Sequence, residues 1–267
     1  MRLFTKKAIV GLLSYFVTIN NIFAQNIQIL NISDFREGDL LFQDLDCGDL
    51  CDAIEKVTKG NKTYNISHVG IVVTRNDSIF IEEALGEKVR LTSPSAFLQR
   101  SVTSSGTPKI IASRIKPAYT GLAGRAAKEA LKYLNTPYDD SFEPGDSKLY
   151  CSELVYYSFK TANYSREFFP LHNMTFHDPE TGATFPVWTE YFEKLHLPVP
   201  EGKTGCNPAD YSVSDKLDIY FSFAGQETSV QLQEQKQKLN VLQEKEEQDK
   251  TERKSDNKQH NQTIKNN

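Results

Sequence analysis

The stretch Lys148-Leu-Tyr-Cys-Ser-Glu-Leu-Val-Tyr-Tyr-Ser-Phe159 sets a single cysteine at the opening of a helix, and no other segment constrains the chain as tightly. Cys151, Leu154, Val155, Phe159 and Ala162 recur at helical spacing, so one face is apolar and the thiol lies at its N-terminal edge. Asp146 and Ser147, just upstream, are suitable N-cap residues, which places Cys151 in the first turn or two. A helix N-terminus carries partial positive charge and unpaired N–H groups, surroundings that favour a thiolate and can receive a developing oxyanion. A buried structural cysteine fits the same pattern, since free cysteine is among the most buried residue types. A partner base is what separates the two readings.

The chain begins Met1-Arg-Leu-Phe-Thr-Lys-Lys7, runs apolar from Ala8 to Ile19 and reaches Ala24-Gln25. A basic start, a short apolar run and a small residue before a polar one describe a secretory signal peptide, too short for a comfortable transmembrane helix. Residues 1–24 are therefore expected to be removed, with no membrane span after them, and the protein is expected to be exported to the periplasm or the extracellular space. A formal net charge of −4 argues against nucleic acid as a partner, because such binders usually present a basic face. Hydrophobic residues at 39% and aromatics at 11% suffice for one well-packed domain, assigned to residues 25–225. From Gln226 onward, nine Gln, eight Lys or Arg and eight Asp or Glu leave too little apolar surface to offset the entropy of ordering. Residues 226–267 thus read as a polar tail, disordered or partly helical.

Four cysteines in an exported chain suggest disulfides, yet a free nucleophile at Cys151 would leave three, which cannot all pair. Cys47 and Cys51 are close enough to bridge; four apart on a helix, they could equally be two thiols on one face. Cys206 is left over.

Between its ends the chain mixes strands and helices. Glu37–Gln43 reads as a turn feeding a buried strand, and Leu50, Cys51, Ile54 and Val57 mark a helix that Gly60 stops. Ser67–Thr74 and Ile79–Ala84, joined by the turn Arg75–Ser78, form a hairpin, with a short third strand at Lys88–Leu91. Ser93-Pro94 opens a short helix, Lys109–Ile115 is a further strand, and Leu122–Leu134 is a helix by propensity. Residues 164–186, rich in aromatics, Asn, Pro and Gly, read as a long ordered surface loop or lid. Pro186–Leu195 is a helix with Trp188 and Phe192 on one face, and Lys216–Phe223 returns to strand.

Among five histidines, His68 stands apart because it begins an apolar strand, and Gly70 removes bulk beside it. A glycine inside a strand often marks the close approach of another group. A thiolate nucleophile needs an imidazole to move its proton, and the imidazole needs an orienting acceptor. The next strand supplies Glu82 and Glu83, which face opposite sides, so only one can share a face with His68.

Gly38-Asp39-Leu-Leu-Phe-Gln43, Ser67-His68-Val-Gly-Ile-Val72, Glu83-Ala84, the Ser93-Pro94 helix, Tyr138-Asp139 and Tyr150-Cys-Ser-Glu-Leu-Val155 appear in that order. This ordered set resembles the YiiX-like group of permuted papain-fold cysteine hydrolases, relatives of the NlpC cell-wall peptidases, over roughly residues 36 to 165. The resemblance implies an α+β, circularly permuted papain-like fold: an antiparallel sheet or barrel packed against the nucleophile helix. It implies Cys151 as nucleophile, His68 as general base and an acid on the second strand as orienter. Glu83 is chosen because it precedes the alanine of Glu-Ala, with Glu82 as the alternative. Gln43 and Tyr150 are secondary candidates for oxyanion contact and pocket wall, with a structural role equally open for the strand residue Gln43.

The expected activity is that of an exported amidase or peptidase acting on a peptide or muropeptide. An acyl-lipid hydrolase or acyltransferase of the same fold is the alternative, and a non-catalytic binding module is a third reading. Phosphate-binding loops and dinucleotide fingerprints are absent from the sequence, and no cofactor is expected. Cys47, Cys51, His172 and His177 lack the usual zinc-ribbon spacing, so no metal site is expected.

Overall fold

Short, almost continuously apolar runs build a sheet that is buried on both faces at its centre. The computed structural model describes residues 30–58, 65–119, 121–145 and 147–223; the signal segment, the tail from Gln226 and Asp146 lie outside them. In chain order the strands are β1 (Leu40–Gln43), β2 (His68–Arg75), β3 (Ser78–Leu85), β4 (Lys88–Thr92), β5 (Ile110–Ile115), β6 (His172–Asn173), β7 (Thr204–Gly205) and β8 (Leu217–Ser222). The helices are α1 (Asp49–Val57), α2 (Pro94–Gln99), α3 (Leu122–Ala130), α4 (Cys151–Ala162), α5 (Pro186–Leu195) and α6 (Pro208–Ser212). Six strands form an antiparallel sheet in the order β4-β3-β2-β1-β5-β8, while β6 and β7 pair separately. Of the two forms anticipated, sheet or barrel, the molecule has the sheet. No helix among the described residues is long and apolar enough to cross a membrane.

Each face of the sheet buries its own side chains, as the two-residue period of a strand requires. On one face Leu40, Phe42, Val69, Ile71 and Val73 meet Ala126, Ala127 and Ala130 of α3 and Leu154, Val155 and Phe159 of α4. The alanines of α3 leave room for α4 to lie close against it. On the other face Leu41, Val72, Ile81, Ile110 and Ala112 meet Phe97 and Leu98 of α2 together with Phe221 and Phe223. A third cluster joins Ala53 of α1 to Met174, Phe176, Trp188 and Phe192.

Local chemistry explains the joints. Asn76 and Asp77 take φ of 50° and 56°, which closes the β2–β3 hairpin in the turn that matches strand twist. Ser93 caps α2 by accepting from the Ala96 N–H at 3.3 Å. Gly38 has φ of 82°, and a Cβ there would lie 2.4 Å from the Ala123 carbonyl oxygen, so only glycine lets β1 start beneath α3. Asp39 beside it accepts from Arg114 Nε at 2.8 Å, the Arg36 N–H at 2.9 Å and the Tyr220 hydroxyl at 3.0 Å. Gly-Asp is thus a structural joint between β1, β5 and β8.

Two expectations change here. Ser147 has φ of 68° and does not cap α4, which starts at Cys151 after an extended Tyr150. The lead-in is held instead by the Leu149 N–H on the Pro137 carbonyl and by the Tyr150 N–H on Glu153 Oε2, at 3.1 and 3.3 Å. The segment from residue 164 runs largely at the surface, as expected, but Phe168, Phe169, Met174 and Phe176 turn inward and are buried. Three of its aromatics are thus core, while Tyr164 stays exposed.

Candidate active site

His68 is the first residue of β2 and is paired in register with Gln43 at the end of β1. Gly70, two residues on, leaves the space that Ile81 Cγ2 fills, 2.4 Å from where a Cβ would stand. The group that approaches this glycine is therefore a core side chain of β3, which seats the strand carrying both glutamates. Register places Glu82 opposite Ile71, on the face covered by α3 and α4, and alternation turns Glu83 to the face covered by α2. His68 Nε2 lies 2.7 Å from Glu83 Oε2, and both residues are buried. On its other side His68 feels Cys151, the first residue of α4, whose thiol is one of the groups that favour the charged imidazole. Three elements distant in sequence thus bring Cys151, His68 and Glu83 together.

The electrostatics follow from this geometry. Burial pushes His68 toward its neutral form, but hydrogen bonds to Cys151 and Glu83, and the charges behind them, prevail and raise it from 6.5 to about 9. Burial likewise opposes ionisation of Glu83, yet His68 and Arg100 hold it well below the usual carboxylate range. Glu82 has no such help. Both of its oxygens are buried without a hydrogen-bond partner, and burial raises it from 4.5 to about 8, only slightly countered by Arg75.

Glu83 is held by residues that sequence reasoning missed. Thr92 Oγ1 donates to its Oε1 at 2.5 Å, and Arg100 spans both oxygens, Nη1 to Oε1 at 3.0 Å and Nη2 to Oε2 at 2.8 Å. Arg100 Nε in turn donates to Gln43 Oε1 at 3.1 Å, and Gln43 Nε2 donates to the Phe97 carbonyl at 2.9 Å. Gln43, for which oxyanion contact and a structural role were equally open, does not line the cleft described below, and its amide ties Arg100 to α2. A signal for Arg100 was present in the sequence, since a buried acid demands a cation and Arg100 closes the element after β4.

Tyr150 and Cys151 line a cleft of about 480 Å3, counted out to its open mouth. Ile54 and Val57 of α1, Met174, Phe176, Trp188, Tyr138 and Phe142 make most of its lining; Ser67, Ser152, Thr175 and Asn207 are its polar members and no lining residue is charged. Tyr150 also accepts from the Cys206 N–H at 3.0 Å, with the Cys206 thiol 3.5 Å away. Cys206 is reduced and buried, and burial drives it up to about 12. Cys47 and Cys51 form a disulfide, which resolves their pairing and removes them from the metal combination considered above. Of the remaining members, His172 contacts Asp210 at 2.9 Å and His177 lies 3.7 Å from Glu201. Among the described residues no three His, Cys, Asp or Glu side chains converge as metal ligands.

Comparisons with known proteins agree with this architecture. Residues 34–220 match the family described as "Permuted papain-like amidase enzyme, YaeF/YiiX, C92 family". The uncharacterized protein YiiX of Escherichia coli strain K12 is 29% identical over 128 residues, 48% of this chain but only 58% of that relative's length. A solved structure titled as metalloprotein yiiX from Escherichia coli O157:H7 superposes with a TM-score of 0.58 at 23% identity, covering 70% of this chain and 97% of that one. At that identity the superposition speaks for the fold. With the match running from ahead of β1 into β8, the chain belongs to the permuted papain-like amidases of the YaeF/YiiX, C92 family.

Proposed function

We propose that the protein is a cysteine amidase in which Cys151 is the nucleophile, His68 the proton carrier and Glu83 the residue that orients and charges His68. The observation that carries the reading is the burial of His68 between a helix-opening thiol and an ionised carboxylate. The thiolate attacks the amide carbonyl carbon, and the resulting oxyanion is received by first-turn N–H groups of α4, which have no partner within the helix. Collapse breaks the C–N bond as His68 gives its proton to the leaving amine, leaving a thioester on Cys151. Water, deprotonated by His68, then breaks the C–S bond, and the acid leaves with thiolate and imidazolium restored.

For the substrate, a peptide amide such as one in the cell wall remains the analogy from related peptidases. The cleft favours a second reading on its own ground: a wall of Ile54, Val57, Phe142, Phe176 and Trp188 without charge suits an apolar acyl group better than an acidic peptide. Export is proposed as well, and the Cys47–Cys51 disulfide supports an oxidising compartment. The test is a turnover screen of N-acyl amides of rising chain length beside muropeptides, with Cys151→Ala as control. Rates that climb with acyl length support the apolar reading, and muropeptide turnover alone supports the cell-wall one. Turnover that survives Cys151→Ala would sink the mechanism.

A further inference from the structure

We propose that Arg100 is a positioning residue that keeps Glu83 ionised and aimed at His68 while His68 is without its proton. The proposal rests on the reading of Cys151, His68 and Glu83 given above and adds a requirement that those three cannot meet alone. Behind Cys151 the resting site sets three charges of alternating sign in a row: imidazolium, carboxylate, guanidinium. Once His68 has protonated the leaving amine, it is neutral, and Glu83 stands fully buried with no imidazolium beside it. An unpaired carboxylate in that position is costly, and the site would lower the cost by keeping the proton on His68 or taking it onto Glu83. Either response stalls the cycle.

The groups facing His68 and Glu83 come from every element around them. Cys151 arrives from α4, Thr92 and Arg90 from β4, Arg100 from the end of α2, and Gln43 from β1. Arg90 is 3.6 Å from Glu83 Oε1 and its side chain is 46% exposed, so water screens it. Arg100 is 20% exposed and grips both oxygens in a fork. Its own position is fixed on two further sides, by Gln43 Oε1 at Nε and by the Phe97 ring 4.8 Å beneath the guanidinium. A cation held that firmly does not follow the proton when it leaves His68. Gln43, the register partner of His68, thereby ties the cation to the strand next to the base.

The test reads the proton on His68 directly, by histidine-selective NMR titration of the full chain, with His68 assigned by the loss of its signal in His68→Ala. Arg100→Met should move the His68 midpoint upward by about one pH unit, a roughly tenfold gain in proton affinity. Arg100→Lys, which keeps the charge without the fork, should recover more than half of that change. In a Glu83→Gln background, Arg100→Met should shift the midpoint by less than half as much, because its influence passes through the carboxylate. An unchanged midpoint in Arg100→Met, or an equal shift in both backgrounds, overturns the proposal. If Arg100→Met does not fold, Glu83→Gln/Arg100→Met must fold, since both charges are then gone; failure of that double variant overturns the proposal too. None of these readouts depends on turnover, so they stand apart from a failure of the catalytic reading, which would appear as activity retained in Cys151→Ala.

Discussion

His68 Nε2 and Glu83 Oε2 stand 2.7 Å apart with neither residue open to solvent, although fifteen positions of chain separate them. The contact exists because β2 and β3 fold back on a two-residue turn and the register sends Glu83 to the face that His68 shares. It sets the expectations that follow.

Replacing Cys151 by Ala should lower turnover of an identified substrate by at least about 1000-fold, since no other group supplies the covalent step. Replacing His68 by Ala should slow alkylation of Cys151 at neutral pH, because the hydrogen-bonded cation that favours thiolate is gone. Rates of iodoacetamide labelling, followed by mass spectrometry, check this. Identical labelling profiles with and without His68 would count against the pair.

Glu83→Gln should reduce kcat by about 100- to 10,000-fold with a smaller effect on KM, because it weakens orientation and stabilisation of the imidazolium. It should cost less than Cys151→Ala. Glu82→Gln should leave kcat within a few-fold of the parent, because Glu82 points to the sheet face opposite Glu83 and its oxygens make no hydrogen bond to His68. A reversal of that ranking in steady-state assays would assign the orienting role to Glu82.

Stability should fall as pH rises from about 5 to about 9. Glu82, raised from 4.5 to about 8 chiefly by burial, keeps a proton in the folded state that the unfolded chain has lost, so its contribution declines across that window. His68, raised from 6.5 to about 9, contributes fully below 6.5 and loses its contribution as pH approaches 9. Glu83 works the other way: its stabilisation is present above 4.5 and is lost in strongly acid solution. Glu82→Met should flatten the lower part of the decline and add on the order of 1–3 kcal/mol at pH 8, measured by urea denaturation. A parent curve that is flat between pH 5 and 9 would contradict both assignments.

Opening the Cys47–Cys51 disulfide should cost about 2 kcal/mol or less, as the loop it closes is short. The functional effect should fall on KM rather than kcat, because α1 contributes Ile54 and Val57 to the cleft wall but no atom to the Cys151, His68 and Glu83 cluster. Kinetics of the Cys47→Ser/Cys51→Ser double variant test this. A loss confined to kcat would place α1 in the chemistry.

Much of the local structure was legible in the order of residues. Apolar, β-branched runs bounded by turns marked β1 to β5 and β8, helical spacing marked α1, α4 and α5, propensity marked α3, and Ser93-Pro94 marked α2. These are short-range patterns, written in the residues that form them. The motif set also singled out His68, the glutamate pair and Cys151, because few residue types carry such chemistry.

What the sequence could not decide was any matter of facing. Adjacent Glu82 and Glu83 are chemically identical, and only strand register, set by Ile81 seated over Gly70, turns one toward His68 and buries the other among hydrocarbon. Whether Cys47 and Cys51 bridge or merely share a helix face depended on the turn of chain ahead of α1. Residues 164–186 read as a surface loop or lid from composition, yet Phe168, Phe169 and Phe176 pack inward because α4 and α5 leave apolar surface to be covered. Arg100 and Gln43 meet Glu83 and Phe97 across 17 and 54 positions of sequence. Local periodicity names the element a residue belongs to; which distant charge it meets is decided only when buried polar groups must find partners as the elements pack.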